Sequence, residues 1–230
     1  MMQIQPIAFF RAPFKSKFGI PRQSGIVEGV RGSIVLTREW SRMEAVEGLL
    51  DFDYLWLIWG FSENVEVRKH ATVRPPRLGG NRRKGVFATR SSFRPNNLAL
   101  SSVRVTGVED APEGVIIHVT GADLMDGTPI YDIKPYITFT DSHPEARSGF
   151  VDEVGWKPLE VVVPEPWSEP FSPEELAVLR QVLAQDPRPS YQEDATRVYG
   201  MPYGCHDVRF RVVGDILTVV EVKEQSARIG

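Results

Sequence analysis

Tyr54-Leu55-Trp56-Leu57-Ile58-Trp59-Gly60-Phe61 is the most apolar run in a chain of 230 residues. It is far shorter than the ~20 residues a membrane helix needs. Its aromatic and β-branched side chains favour a strand. Taken from Asp53 to Phe61, the run predicts a central strand buried on both faces, so a sheet has to be assembled around it. Other short runs can supply the neighbours: Gln3 to Phe10, Gly32 to Thr37, Val86 to Thr89, Leu98 to Val108, Gly114 to Thr120 and Ile130 to Ile133, the last after the turn signal Asp126-Gly127-Thr128-Pro129. Five to seven strands with irregular loops argue for a barrel or sandwich and against alternating βα units. Between strands, Ser41 to Gly48 reads as one or two helical turns, with Ser41 as N-cap and Glu44 completing a capping box.

The character of the chain changes after Thr140. Asp141 to Phe171 is rich in Pro and acids and reads as a linker or wrapping segment. Ser172-Pro173-Glu174-Glu175 then opens a helix with an N-cap, a Pro at the first position and acids at the positive dipole end; it should stop before Pro187. Val208 to Val213 and Ile216 to Val222, joined at Gly214-Asp215, predict a closing hairpin. The expected fold class is mainly β with an α+β appendage, divided into residues 1–140 and 141–230.

Charge is distributed unevenly. Between Val67 and Val108 the chain has no Asp or Glu but carries ten of its 27 Lys and Arg residues, although its net charge is −3. A solvated face normally mixes both signs. An unrelieved basic stretch is better explained by an anion that supplies the missing charge. A single cysteine excludes an intramolecular disulfide and suits the cytoplasm. No basic start leads into an apolar run, so neither a signal peptide nor a membrane anchor is expected.

Several kinds of chemistry are disfavoured. No G-x-x-x-x-G-K-[ST] is present, and no G-x-G-x-x-G follows a strand. His70, His118, His143 and His206 are scattered, no pair has metal-ligand spacing, and no metal is expected. His118 reads as a satisfied strand residue. Cys205-His206-Asp207 would point to alternating faces of an extended chain and is not read as a nucleophilic trio.

Four segments combine rigid, permissive and hydrogen-bonding residues as a preorganised site requires. They are Pro21-Arg22-Gln23; Arg74 to Asn81 continuing through Gly85 to Asn96; Asp123 to Tyr136; and Asp186-Pro187-Arg188-Pro189-Ser190-Tyr191. In this order they resemble the TsaA/YaeB family, and the resemblance runs from Pro21 to Tyr191 and includes the late hairpin. The characterised activity of that family is S-adenosylmethionine-dependent methylation of N6-threonylcarbamoyladenosine, the modified purine just 3′ of the anticodon in certain tRNAs. The resemblance implies a small β-barrel that binds S-adenosylmethionine, a small C-terminal α+β domain and a homodimer.

By position, it places cofactor contacts on Pro21, Arg22, Gln23, Ser62, Glu63, Arg90, Leu100, Asp123, Leu124, Met125 and Asp126. Ser62-Glu63 stands where better-known members have His-Gln, and Asn97 where they have Pro. Methyl transfer to an exocyclic nitrogen requires loss of a proton, for which Asp126 or Tyr191 is the candidate catalytic group. Arg74, Arg77, Arg82, Arg83, Lys84, Arg94 and Arg188 would hold tRNA phosphates around the anticodon loop, with Phe93, Tyr136 or Tyr191 stacking on its bases. A methyltransferase of the same fold acting on another RNA or a small metabolite, and a non-catalytic RNA-binding module, stay open as alternatives; the basic block speaks against a small metabolite.

Overall fold

Alternation of covered and exposed side chains, the mark of strands with one face against a core, organises the first half of the chain. The computed structural model describes residues 3–64, 70–78, 82–153, 155, 157–188 and 194–225. In chain order the strands are β1 (Ala8–Arg11), β2 (Arg31–Leu36), β3 (Tyr54–Gly60), the two-residue partners β4 (Thr72–Val73) and β5 (Lys84–Gly85), β6 (Leu98–Ala111), β7 (Gly114–Thr120) and β8 (Pro129–Pro135). The single helical turns α1 (Thr138–Asp141) and α2 (Phe150–Glu153) lead to β9 (Glu160–Val162), the helix α3 (Pro173–Ala184), β10 (Tyr199–Tyr203), β11 (His206–Val213) and β12 (Ile216–Glu224).

Six strands pair antiparallel in the order β1-β2-β7-β6-β3-β8, and β1 also pairs with β8 through Ala8↔Ile130 and Phe9↔Pro129. The inward residues of this ring (Phe10, Ile34, Leu55, Leu57, Val103, Ile117, Val119 and Ile130 among them) form one core. β3 alternates: Leu55, Leu57 and Trp59 are buried, while Tyr54, Trp56 and Ile58 are half-buried on the outside. The expectation of burial on both faces is therefore corrected. A sheet that packs its inner face on itself covers only one side of each strand.

The second sheet has the order β10-β11-β12-β9, with β9 parallel to β12. Asp141 to Phe171 is thus more than a linker, since it contributes a strand. α3 packs Leu179, Val182 and Leu183 onto this sheet beside Met201, Val208, Phe210 and Leu217. Each fully buried aliphatic side chain contributes about 1.5–3 kcal/mol. The exposed Arg31–Glu174 pair (2.7 Å) adds under about 1 kcal/mol, so packing fixes the helix. Phe14, Val27 and Val30, from the stretch between β1 and β2, belong to the same second core. At Gly19, φ is 89° and a Cβ would collide with Met201, so only glycine permits this approach.

The helical turn expected after Ser41 forms without its cap, and one expected strand does not form. Residues 43–46 form a short 3-10 turn capped by Arg42, without a side-chain cap bond; the Ser41 hydroxyl instead accepts the Val115 N–H at 2.7 Å. Val86–Ala88 is also a 3-10 turn and not a strand. The strand reading of Gly114 to Thr120 and the capped helix at 172 both hold. Among the described residues no helix is long and apolar enough to cross a membrane.

Candidate functional site

Three loops converge beside the ring. In the first, Pro21 is buried at the base, Arg22 is exposed, and the Gly25 N–H donates to Gly121 O (2.8 Å), which joins it to the loop after β7. From the second, Arg90 Nη1 donates to Gln23 Oε1 at 2.6 Å. Gln23 Nε2 donates to Arg22 O (2.6 Å), and Arg22 Nη2 donates to Asp186 O (3.2 Å). A polar chain therefore runs from the ring to the end of α3. There Asp186 holds Arg188 with both carboxylate oxygens (2.8 and 2.9 Å), and Arg188 is only 14% exposed. The guanidinium is oriented, but it is already matched by an acid.

The third loop, Asp123 to Asp126, splits by side-chain direction. The half-buried Asp123 accepts the Ser101 hydroxyl proton at 2.6 Å and a backbone N–H from Ser24. Burial pushes its carboxyl above the usual range; these hydrogen bonds, its own backbone N–H and the Arg90 charge pull the other way. Ser101 in turn accepts the Trp59 Nε1–H at 3.0 Å. Leu124 is buried in the ring core, which leaves only its backbone for a ligand. Met125 is half-buried and accepts the Thr128 hydroxyl at its carbonyl. Asp126 accepts the Ala12 N–H at 3.0 Å, and its own N–H donates to Phe14 O, so it pins the loop to the end of β1.

Leu100 is 53% exposed on the opposite face of β6 from Ser101. Ser62 and Glu63 are exposed on a 3-10 turn, where Glu63 O accepts from Lys17 Nζ at 3.4 Å.

An open groove of about 1650 Å³ runs across the seam between the ring side and the end of α3. Arg22, Gln23 and Arg90 line it together with Arg74, Arg83 and Arg188. Asp186 is its only acidic lining residue among the described ones; Lys17 and Arg147 add two cations that sequence reasoning passed over. Phe93 lines it at 40% exposure and Phe87 at 78%; the latter was not singled out, although an aromatic inside a basic loop is a visible signal.

Several cations of the basic block, including the groove-lining Arg83, are engaged within the fold. Arg82 meets Glu153 at 3.5 Å, and Arg104 reaches Asp53 at 3.9 Å, so acids from outside the basic block relieve two of its charges. Arg83 donates to Thr72 Oγ1 (3.2 Å), and Lys84 sits over the Phe150 ring. Arg94 turns inward to the Thr89 and Val86 carbonyls (2.6 and 3.3 Å) and buttresses its own loop. Arg77 occupies the 3-10 turn Pro76–Leu78. Tyr136 packs on Tyr54 and Trp56 outside the ring and does not line the groove. Tyr191 lies outside the described residues.

His118 bonds Ser33 and Glu109 through its two ring nitrogens (3.2 and 3.0 Å). Cys205 lies 3.5 Å from His206 Nδ1, and Asp207 turns to Arg209. No three His, Cys, Asp or Glu side chains among the described residues cluster as a metal site.

Fold and groove together define a class: a mainly β protein in two packed parts, with a cation-rich, aromatic-edged groove where they meet. Family comparison identifies it further. Residues 9–142 match the tRNA-methyltransferase O N-terminal domain and residues 167–225 match the TrmO C-terminal domain. The chain belongs to the tRNA-methyltransferase O family. It is 38% identical over 218 residues to the tRNA (adenine(37)-N6)-methyltransferase of Escherichia coli K12, covering 91% of this chain and 93% of that one. It is 43% identical over 166 residues to the enzyme of the same name from Eikenella corrodens, covering 70% and 91%. The crystal structure of TrmO from Pseudomonas aeruginosa superposes with a TM-score of 0.78 at 30% identity, over 97% of this chain and 98% of that one.

Proposed function

We propose that this protein transfers the methyl group of S-adenosylmethionine to N6 of adenosine 37 in tRNA, when that base carries a threonylcarbamoyl group. The observation that carries the reading is the groove: Gln23 and Arg90 line it next to a wall of cations and exposed aromatics, and the Asp123 carboxylate, which does not itself line it, lies close enough to feel the Arg90 charge. The residues fit the cofactor, because a guanidinium and a partly buried carboxylate suit a carboxylate and ribose hydroxyls respectively. When bound, S-adenosylmethionine supplies a methyl group on a good leaving group, a sulfonium.

The protein's share is then alignment and exclusion of water. Arg90, held by Gln23, takes the cofactor's carboxylate, and Asp123 takes its hydroxyls. Arg74 and Arg83 hold phosphates, while Phe87 and Phe93 receive unstacked bases of the anticodon loop. Asp126 holds the Ala12 amide with Oδ1, which leaves Oδ2, so Asp126 and Tyr191 are the two proposed groups assisting proton loss from N6. In the same reading, the six-stranded ring is a cofactor-binding barrel forming the domain of residues 1–140, residues 141–230 form the appended domain, and the molecule works as a cytoplasmic homodimer.

The test uses labelled cofactor with tRNA carrying or lacking the threonylcarbamoyl group, followed by nucleoside mass spectrometry. Methylation of the modified base alone is the expected result. Failure to label either tRNA overturns the reading.

A further inference from the structure

Trp59 on β3 and Ser101 on β6 point into the ring, 7% and 2% exposed, from neighbouring paired strands. An indole N–H can only donate, so the Ser101 oxygen must accept it. The hydroxyl has one proton, and Asp123 Oδ1 at 2.6 Å is where that proton goes. The chain Trp59→Ser101→Asp123 thus has a fixed direction that keeps Oδ1 an acceptor. Trp59 is itself held, edge to face against Phe61, with ring centroids 4.6 Å apart. Neither donor is exposed enough for water to take its place.

We infer that Trp59 and Ser101 are positioning residues, which lock one carboxylate oxygen of Asp123 so that the other faces the hydroxyl groups of the bound cofactor. The inference rests on the reading of Asp123 as a cofactor contact. It extends the site inward from Arg90, which lines the groove, through Asp123 to two residues buried behind it. The charged group facing Asp123 is Arg90, and the Ser24 N–H completes its surroundings. Burial alone would favour the protonated carboxyl; Ser101 opposes that by donating to the charged form.

The experiment compares wild type, Ser101→Ala, Ser101→Thr and Trp59→Phe. Cofactor affinity is measured by calorimetry without tRNA, and the Asp123 carboxyl is titrated by carbon NMR in the ligand-free protein. Ser101→Ala should weaken cofactor binding about tenfold, the scale of one charge-assisted hydrogen bond, and raise the apparent pKa of Asp123. Ser101→Thr should restore both, and Trp59→Phe should fall between. In turnover, KM for the cofactor should rise while KM for tRNA stays put. If Ser101→Ala does not fold, the threonine and Trp59→Phe variants decide through the same titration. Wild-type protein that binds no S-adenosylmethionine overturns the underlying reading. Wild-type binding with unchanged affinity and Asp123 titration in the variants overturns this inference alone.

Discussion

Asn97 at φ 53° and Asp186 at φ 50° hold left-handed backbone conformations without being glycine. Both residue types tolerate that region because their short polar side chains bond locally. At Asn97 the carbonyl also accepts the Phe61 N–H at 2.8 Å, which ties the loop before β6 to the end of β3. Proline, fixed near φ −65°, cannot adopt this geometry, which gives a physical reason for the absence of a Pro here. Thermal denaturation should show Asn97→Gly close to wild type and Asn97→Pro destabilised by about 1–3 kcal/mol. Asp123 gives a pH prediction. Its carboxyl is pushed up by burial, so the folded chain binds that proton more tightly than the unfolded one. Stability attributable to Asp123 is present below pH about 4 and declines as pH rises through the raised pKa. Asp123→Asn should remove that decline in melts across pH, while weakening cofactor binding.

Ser41-x-x-Glu44 and Ser172-x-x-Glu175 share one capping signature, but only the second forms the box. The difference is burial. α3 runs for 12 residues and buries Leu179, Val182 and Leu183, whereas the turn at residues 43–46 buries Val46 alone, and its serine is claimed by the Val115 amide. A cap reinforces a helix that packing already favours and cannot create one. Ser172→Ala should cost about 1 kcal/mol by denaturant unfolding. The Ser172 hydrogen bonds hold the Glu175 carboxyl below its usual range. That part of the stability is present above the unfolded pKa and fades as pH falls through the lowered one. Proline follows close behind the helix, and Asp186 at φ 50° ends it in the left-handed conformation common after a C-cap.

The groove exists only because α3 and the loops beside the ring come together. Among its cations, Arg22, Arg83 and Arg90 each donate a single hydrogen bond to a neutral group, whereas Arg188 is matched by the Asp186 carboxylate. Replacing Arg74 and Arg83 with alanine should weaken tRNA binding and flatten the log–log salt dependence by about two. Arg94→Ala should lower the melting temperature and leave the slope unchanged, since its guanidinium is spent on the Val86 and Thr89 carbonyls. Phe87→Ala should weaken tRNA binding by the ~1–3 kcal/mol of one base stack, with Phe87→Trp restoring it. Equal affinity for the alanine and tryptophan variants would count against stacking. The long strands of the ring, the closing hairpin, the α3 cap and the basic block were legible in the chain, because periodicity, capping and net charge are local properties, whereas the short strands β4, β5, β9 and β10 carry too little pattern to be read. Which of ten cations reach a ligand was not, because Glu153, Asp53 and the carbonyls that consume them come from other parts of the fold. The same holds for the divided loop Asp123 to Asp126: four consecutive residues carried one motif, but the ring interior takes Leu124, the end of β1 takes Asp126, and Asp123 alone is set against Arg90 and Ser101. A side chain's chemistry is written in its type, but its availability depends on which distant partner reaches it first.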